Sequence, residues 1–325
     1  MMDLSEIIAQ LLNKLVSLQS APHISAEIIQ TRPYARVARE NKDFLLLLPS
    51  PLETNKPGIV LKHISVHYGK KCRVHSANKH TDEVLTLVRI HAPDSTQLQV
   101  FGDVVSLLLN RLPIADEKGI SDLIDQLVEL FSALNQPSIS TIVGLWGELF
   151  LMLQAQSPEV VAKAWHTSPQ EKFDMSDGSS RVEIKSTRGP RQHIFSFEQI
   201  APLPNIQIVV ASLILTESND GLDVLELLTQ VTQRLVDKKI RSHVMKIALR
   251  TIGADLTFDR KIKFDPVGAG INLKYFSASD IPKPLQPPLG VTELKFKSDL
   301  QLTADTPLQT FFDLAPLFSA LSAAN

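Results

Sequence analysis

One stretch, Phe173-Asp174-Met175-Ser176-Asp177-Gly178-Ser179-Ser180-Arg181-Val182-Glu183-Ile184-Lys185-Ser186-Thr187, constrains the chain more than any other. An Asp-Gly pair in a polar turn cluster between two more apolar runs predicts a β-hairpin, because glycine readily takes the backbone conformations that tight turns need. Along the second strand Val182 and Ile184 alternate with Glu183 and Lys185. A period of two puts the apolar pair on one face and the charged pair on the other. Folding the hairpin brings Asp174 toward the level of Glu183, so two carboxylates and an ammonium meet at one sheet surface.

That meeting has a chemical use. A hard divalent cation such as Mg2+ takes carboxylate oxygens and keeps several waters for substrate phosphates to replace. It polarises a phosphoryl oxygen and acidifies a bound water, while a lysine beside it can orient that water and offset developing charge. The carbonyl of Ile184, between the charged side chains, offers one more ligand. A Glu-x-Lys strand alone is common on solvated surfaces. Asp174 across the turn and an upstream helical acid, Glu148, are what set this one apart.

Asp174 followed by Glu183-Ile184-Lys185 resembles the Asp…Glu-x-Lys core of the PD-(D/E)XK nuclease superfamily, with Phe173 where the motif's name has proline. More narrowly, the chain is similar to a bacterial PD-(D/E)XK family encoded near DNA methyltransferases and ATPases in restriction or phage-defence clusters. The residues that carry this likeness are Gly144-Leu145-Trp146-Gly147-Glu148-Leu149, Glu183-Ile184-Lys185-Ser186-Thr187, Arg191, His193 and Phe195-Ser196-Phe197-Glu198-Gln199. They concentrate between residues 144 and 199, and the N-terminal third shares only a general likeness.

The resemblance implies an α/β, restriction-endonuclease-like fold, a mixed sheet flanked by helices. It implies a Mg2+-dependent DNA endonuclease, with Mn2+ as the other ion. Asp174 and Glu183 would bind metal, Glu148 would complete the site, and Lys185 would position the attacking water. A homodimer would let two sites cut two strands, and methyltransferase or ATPase subunits are the implied partners. A catalytically silent DNA-binding or scaffold subunit is the other function that keeps this fold.

Around this centre the chain reads as two parts: residues 1–115, a helix and a β-rich domain, and residues 116–325, the nuclease-like domain with C-terminal β/α additions. Leu4, Ile7, Ile8, Leu11, Leu12, Leu15 and Val16 mark an amphipathic helix over residues 3–18. Short apolar runs at 44–48, 59–61, 64–68 and 84–90 predict a small sheet. Lys70, Lys71, Arg73 and His75 cluster within it as phosphate contacts or a solvated hairpin edge. Helices are expected over 98–112, 120–134 and 139–153. In the last of these, Gly144 and Gly147 each cost about 1 kcal/mol of helix propensity relative to alanine, so a close approach is a reasonable purpose.

After the hairpin, Arg188, Arg191 and His193 are candidate phosphate contacts, because Arg181, Lys185, Arg188 and Arg191 make this segment basic. Ser196 to Gln199 has capping-box spacing. The run 206–215 predicts a strand buried on both faces, then a helix over 221–237 and another over 242–252. Further strands are expected at 261–264, 271–276 and 291–296, and a closing helix at 308–321.

Composition closes off other classes. Lys+Arg 33 against Asp+Glu 35 gives a net charge of −2, so no global basic field advertises nucleic acid. A single cysteine, Cys72, excludes internal disulfides and thiolate clusters, which together with the absence of a long apolar run leads to the expectation of a cytoplasmic protein without a membrane span. No phosphate-binding glycine loop, dinucleotide fingerprint, serine elbow or His-Glu-x-x-His occurs, and the nine histidines lack paired zinc-ligand spacing.

Overall fold

The computed structural model describes residues 26–29, 32–40, 42–50, 56–76, 79–91, 95–112, 116–132, 142–166, 171–254, 262–287 and 289–323. The helix expected over residues 3–18 lies outside them. The chain forms two compact units, residues 1–137 with 252–256, and residues 138–251 with 257–325. The first unit therefore extends past residue 115 and includes the helix that follows it.

In the first unit, strands β1 (Ala26–Ile28), β2 (Arg36–Glu40), β3 (Asp43–Pro49), β4 (Ile59–Val60), β5 (Ile64–Ser76) and β6 (Lys79–Ile90) form one antiparallel sheet in the order β1-β2-β3-β6-β5-β4. All four apolar runs read from the sequence coincide with strands. Ala38, Leu45, Leu47, Cys72, Val74, Leu85 and Leu87 share one buried cluster, so Cys72 is a core residue whose thiol burial pushes up. The β5–β6 ladder slips between His67 and Lys70, where Gly69 has φ 62°. Arg73, in the basic cluster, pairs with Asp82 at 2.8 Å. Helices α1 (Ser95–Arg111) and α2 (Glu117–Ser132) follow, and α2 buries Ile120, Leu123, Ile124, Leu127, Leu130 and Phe131 at helical spacing.

The second unit is built on a mixed sheet of β7 (Met175–Ser176), β8 (Ser180–Thr187), β10 (Gln207–Ile214) and β12 (Lys274–Ser277), in the order β12-β10-β8-β7. β8 and β10 are parallel from Gln207↔Ser180 to Ile214↔Thr187, and both outer strands run antiparallel to their neighbours. The hairpin forms as its sequence requires. Met175 pairs with Val182 and Ser176 with Arg181, Gly178 has φ 90°, and Asp177 Oδ1 accepts from the Ser180 amide at 2.9 Å.

Both faces of this sheet are covered. On one lies α3 (Ile142–Gln154), which packs on β8 and on α6 (Val224–Arg234). Trp146 stacks on Phe150 and donates its indole N–H to the Leu222 carbonyl at 2.9 Å. On the other face Phe173, Ile208, Val210 and Phe276 pack with Phe195, Ile200 and Leu300. These last come from β9 (Gln192–Ser196), the short α5 (Phe197–Ile200) and the residue that follows β13 (Lys295–Asp299); β9 and β13 form a two-stranded ribbon. Burying each large aliphatic or aromatic side chain here contributes about 1.5–3 kcal/mol.

Between α3 and the hairpin the chain forms α4 (Pro158–Ala164); beyond β10 come β11 (Glu217–Leu222), α7 (Lys238–Ala254) and α8 (Pro266–Asn272). Five expectations shift, the first being the strand expected at 291–296, which forms at Lys295–Asp299. β11 occupies the start of the expected 221–237 helix, which begins after Asp223 caps it through the Leu225 and Glu226 amides. Phe264 makes only isolated bridges to Glu217 and Leu222. Residues 271–272 end α8, and the strand is Lys274–Ser277. The closing segment is a 3-10 turn at Leu308–Phe311 and a short helix, α9 (Pro316–Ala320), because Pro316 cannot continue a helix from within.

Candidate metal-binding active site

Three elements deliver the acids. β8 carries Glu183 and Lys185, the residue before β7 is Asp174, and α3 carries Glu148. Glycine at 147 makes the helix contribution possible: a Cβ there would lie 2.0 Å from Ser186 Oγ and 3.6 Å from Ile184 Cγ2, so only a bare backbone lets α3 press onto β8.

Glu183 is 3% exposed, far from a solvated strand face. Its Oε1 accepts from Lys185 Nζ at 2.7 Å and from Gln199 Nε2 at 2.7 Å, while its Oε2 is buried with no hydrogen-bond partner among the described residues. Gln199 acts twice. Its Oε1 accepts from the Ser196 amide at 3.0 Å, closing the N-terminus of α5, and its Nε2 also donates to the Lys172 carbonyl at 3.2 Å. The ammonium of Lys185 stands 5.4 Å from the centre of the Phe195 ring.

Asp174 Oδ2 accepts from the Ile184 amide at 2.6 Å. An extended residue directs its N–H and C=O to the same side, so the Ile184 carbonyl faces the edge that Asp174 occupies. Burial raises the Asp174 carboxyl well above its usual range, and the Glu183 and Glu148 carboxylates push the same way against the Ile184 N–H and Lys185. Burial also raises Glu183, opposed by the Lys185 ammonium.

Two neighbours carry no signal in the sequence. Trp165 donates its indole N–H to Glu148 Oε2 at 2.7 Å, and His166 Nε2 lies 3.4 Å from that same oxygen. Trp165 forms a bridge with Met175, and the His166 amide donates to the Asp174 carbonyl at 3.0 Å. Glu148, His166 and Asp174 each bring a ligand atom within 4.8 Å of the others. A scan for paired ligand spacing misses His166, since the chain pairing that places it is not encoded by a fixed interval.

The expected phosphate contacts part company. Arg188 is exposed and pairs with Glu217 at 2.7 Å. Arg191 is 5% exposed and donates to the Ser212 carbonyl and hydroxyl at 2.7 and 2.8 Å and to the Asn272 carbonyl at 2.6 Å. His193 is buried on the same Ser212 hydroxyl at 2.7 Å, and burial, with Lys185 and Arg191 nearby, lowers its pKa to about 4. Arg191 ties the start of β9 to β10 and α8, and His193 ties β9 to β10, so both side chains expected to contact phosphate are turned inward. Sequence alternation cannot reveal this, because the covering layer comes from elsewhere in the chain.

The arrangement fits a divalent cation. A buried carboxylate oxygen without a donor is costly to leave unpaired, and Glu183 Oε2 is such an atom beside two further acids. A family model described as "Putative PD-(D/E)XK family member, (DUF4420)" matches residues 23–301. The chain belongs to this family. The PD-(D/E)XK match takes in the β-rich first unit as well as residues 144–199, and it carries with it a nuclease-like function, DNA as the implied substrate and the use of divalent metal. No curated protein matches the chain, and neither does any solved structure. Among the described residues no helix is long and apolar enough to cross a membrane.

Proposed function

We propose that this PD-(D/E)XK protein is a DNA endonuclease of a bacterial restriction or phage-defence system, dependent on a divalent cation, Mg2+ or Mn2+, and acting in the cytoplasm. The observation that carries the reading is Glu183, buried, clamped through one oxygen by Lys185 and Gln199 and left with its other oxygen unpartnered. Asp174, Glu183 and the Ile184 carbonyl would hold the ion with Glu148 assisting. When bound, it would polarise a phosphoryl oxygen and lower the pKa of a coordinated water.

The chain's own groups do the rest. Gln199 and Lys185 fix the Glu183 carboxylate in one orientation, which preorganises the site at the expense of side-chain freedom already lost in folding. The Lys185 ammonium, 20% exposed at its side chain, can donate a second hydrogen bond outward to the attacking water and offset charge developing on the phosphate. Arg188, exposed beside this strand end, can exchange Glu217 for a phosphate oxygen.

The test is cleavage of modified and unmodified DNA with Mg2+ or Mn2+ by the protein and its Asp174→Ala and Lys185→Ala variants. Metal-dependent cutting lost in both supports the reading. Inertness with Asp174-dependent metal binding intact points to a catalytically silent DNA-binding subunit, or to an endonuclease that needs a methyltransferase or ATPase partner; adding that partner separates them. A second site for the opposite strand would come from a homodimer, read from the mass in solution.

A further inference from the structure

Resting on the metal-dependent reading above, we infer that the cation site is completed by an imidazole, and that Glu148, His166 and Asp174 together select a first-row transition ion over Mg2+. Neither the nuclease motif nor the sequence spacing brings His166 to this site. The fold does, in three separate ways. Trp165 pairs with Met175 across an edge bridge, the His166 amide donates to the Asp174 carbonyl at 3.0 Å, and the Trp165 indole holds Glu148 Oε2 at 2.7 Å. The ring is therefore carried on a backbone already registered against Asp174, beside a carboxylate already fixed by its sequence neighbour.

The imidazole itself points to a ligand. Its side chain is 10% exposed, one ring nitrogen lies 3.4 Å from Glu148 Oε2, and Nδ1 is buried without a hydrogen-bond partner among the described residues. Glu183, close enough to influence Asp174, also has a buried oxygen, Oε2, without a partner among the described residues. One nitrogen and two carboxylate oxygens within 4.8 Å of one another need only a small closure to share one ion.

The donor set decides which ion. Mg2+ demands near-ideal octahedral oxygen coordination and gives up its waters reluctantly, so an imidazole adds little for it. First-row transition ions gain from nitrogen donors, with affinity rising from Mn2+ through Fe2+ and Co2+. A site that adds an imidazole to its carboxylates thus discriminates by ligand type, where an all-carboxylate site would leave the choice to ion abundance.

The experiment uses Mn2+ and Mg2+ as probes on the full chain. Titration calorimetry gives both affinities for the protein and for its His166→Gln and Asp174→Ala variants, and pulsed electron paramagnetic resonance of bound Mn2+ looks for coupling to an imidazole nitrogen. The expected result is tighter binding of Mn2+ than Mg2+ and a nitrogen coupling in the unaltered protein. His166→Gln should abolish that coupling and weaken Mn2+ by about tenfold or more, a loss that even outer-sphere changes at metal sites reach, with Mg2+ little changed. Mn2+ bound through Asp174 but without nitrogen coupling overturns the imidazole and leaves the metal-dependent reading standing. Absence of any divalent binding by the folded chain overturns both. The coupling is read on the unaltered protein, so a variant that fails to fold does not decide the matter.

Discussion

Gly147 of α3 and Ser186 of β8 approach so closely that a Cβ on the glycine would stand 2.0 Å from the serine hydroxyl. That contact sets how near Glu148, one residue further along the helix, comes to the hairpin acids.

Gly147→Ala should therefore destabilise the protein in spite of better helix propensity. The gain of about 1 kcal/mol from propensity is outweighed by overpacking of about 1–3 kcal/mol. Ser186 Oγ is buried without a partner, so Ser186→Ala alone should be neutral or stabilising, and adding it to Gly147→Ala should recover part of the loss. Chemical denaturation of the two single variants and the double variant measures this; strict additivity would refute the contact.

Gln199→Ala removes a donor to Glu183 and the cap on Ser196 together. The lost cap and hydrogen bond should cost about 1 kcal/mol of stability, and metal affinity should fall about 10–100-fold, as when a ligand loses its supporting partner. Calorimetric titration beside a thermal melt separates the two effects; a stability loss with unchanged metal affinity would reduce Gln199 to a cap.

Arg191→Ala and Arg191→Lys should both destabilise strongly, by about 3 kcal/mol or more for the alanine, since two buried carbonyls and a hydroxyl lose their donor. Lysine has no planar fork to replace the three contacts. Arg188→Ala, at an exposed pair with Glu217, should change stability by less than about 0.5 kcal/mol. It should weaken DNA binding and reduce the salt slope by about one. Denaturant melts and salt-dependent binding assays distinguish the two arginines.

The pH dependence follows from the raised carboxyls. A carboxyl whose folded pKa exceeds its unfolded value, about 3.9 for aspartate, makes the folded state bind the proton more tightly. Its contribution is fully present below the unfolded value and is lost as pH rises through the folded one. With burial raising Asp174 and Glu183, the metal-free protein should lose stability as pH climbs from about 4 through the folded pKa values of these carboxyls. Asp174→Asn should flatten that slope. Added divalent ion should raise the melting temperature more at neutral than at acid pH; an equal rise at both would argue against Asp174 as a ligand.

How much of this was legible depends on the range of the interaction. The turn at Asp177-Gly178, the alternation Val182, Glu183, Ile184, Lys185 and the apolar face around Trp146 are local patterns, and each reappears as the hairpin, β8 and α3. Glu148, Asp174, Glu183 and Lys185 gather at one place for the same reason: a hairpin fixes one pair and a helix packed on it supplies the third acid. The sequence could also mark Gln199 as a capping residue. Its hydrogen bond to Glu183 depends on where α5 docks, and nothing within the segment says so.

The closing segment and the basic run show the opposite case. Pro316 was enough to break the helix suggested by 308–321, a local fact outweighed in the apolar pattern. Arg181, Lys185, Arg188 and Arg191 look like one basic patch along the chain, yet Arg181 lies over Phe173, Lys185 faces Glu183, Arg188 is exposed and Arg191 is interior. By itself the sequence determined which side chains share a strand face, where the turn falls and which acids a divalent ion could use, because those follow from backbone periodicity. Only the tertiary structure decided which faces are covered. That turned Arg191 and His193 inward, stripped water from Glu183 and set His166 against Asp174, because burial and long-range pairing depend on segments distant in the chain.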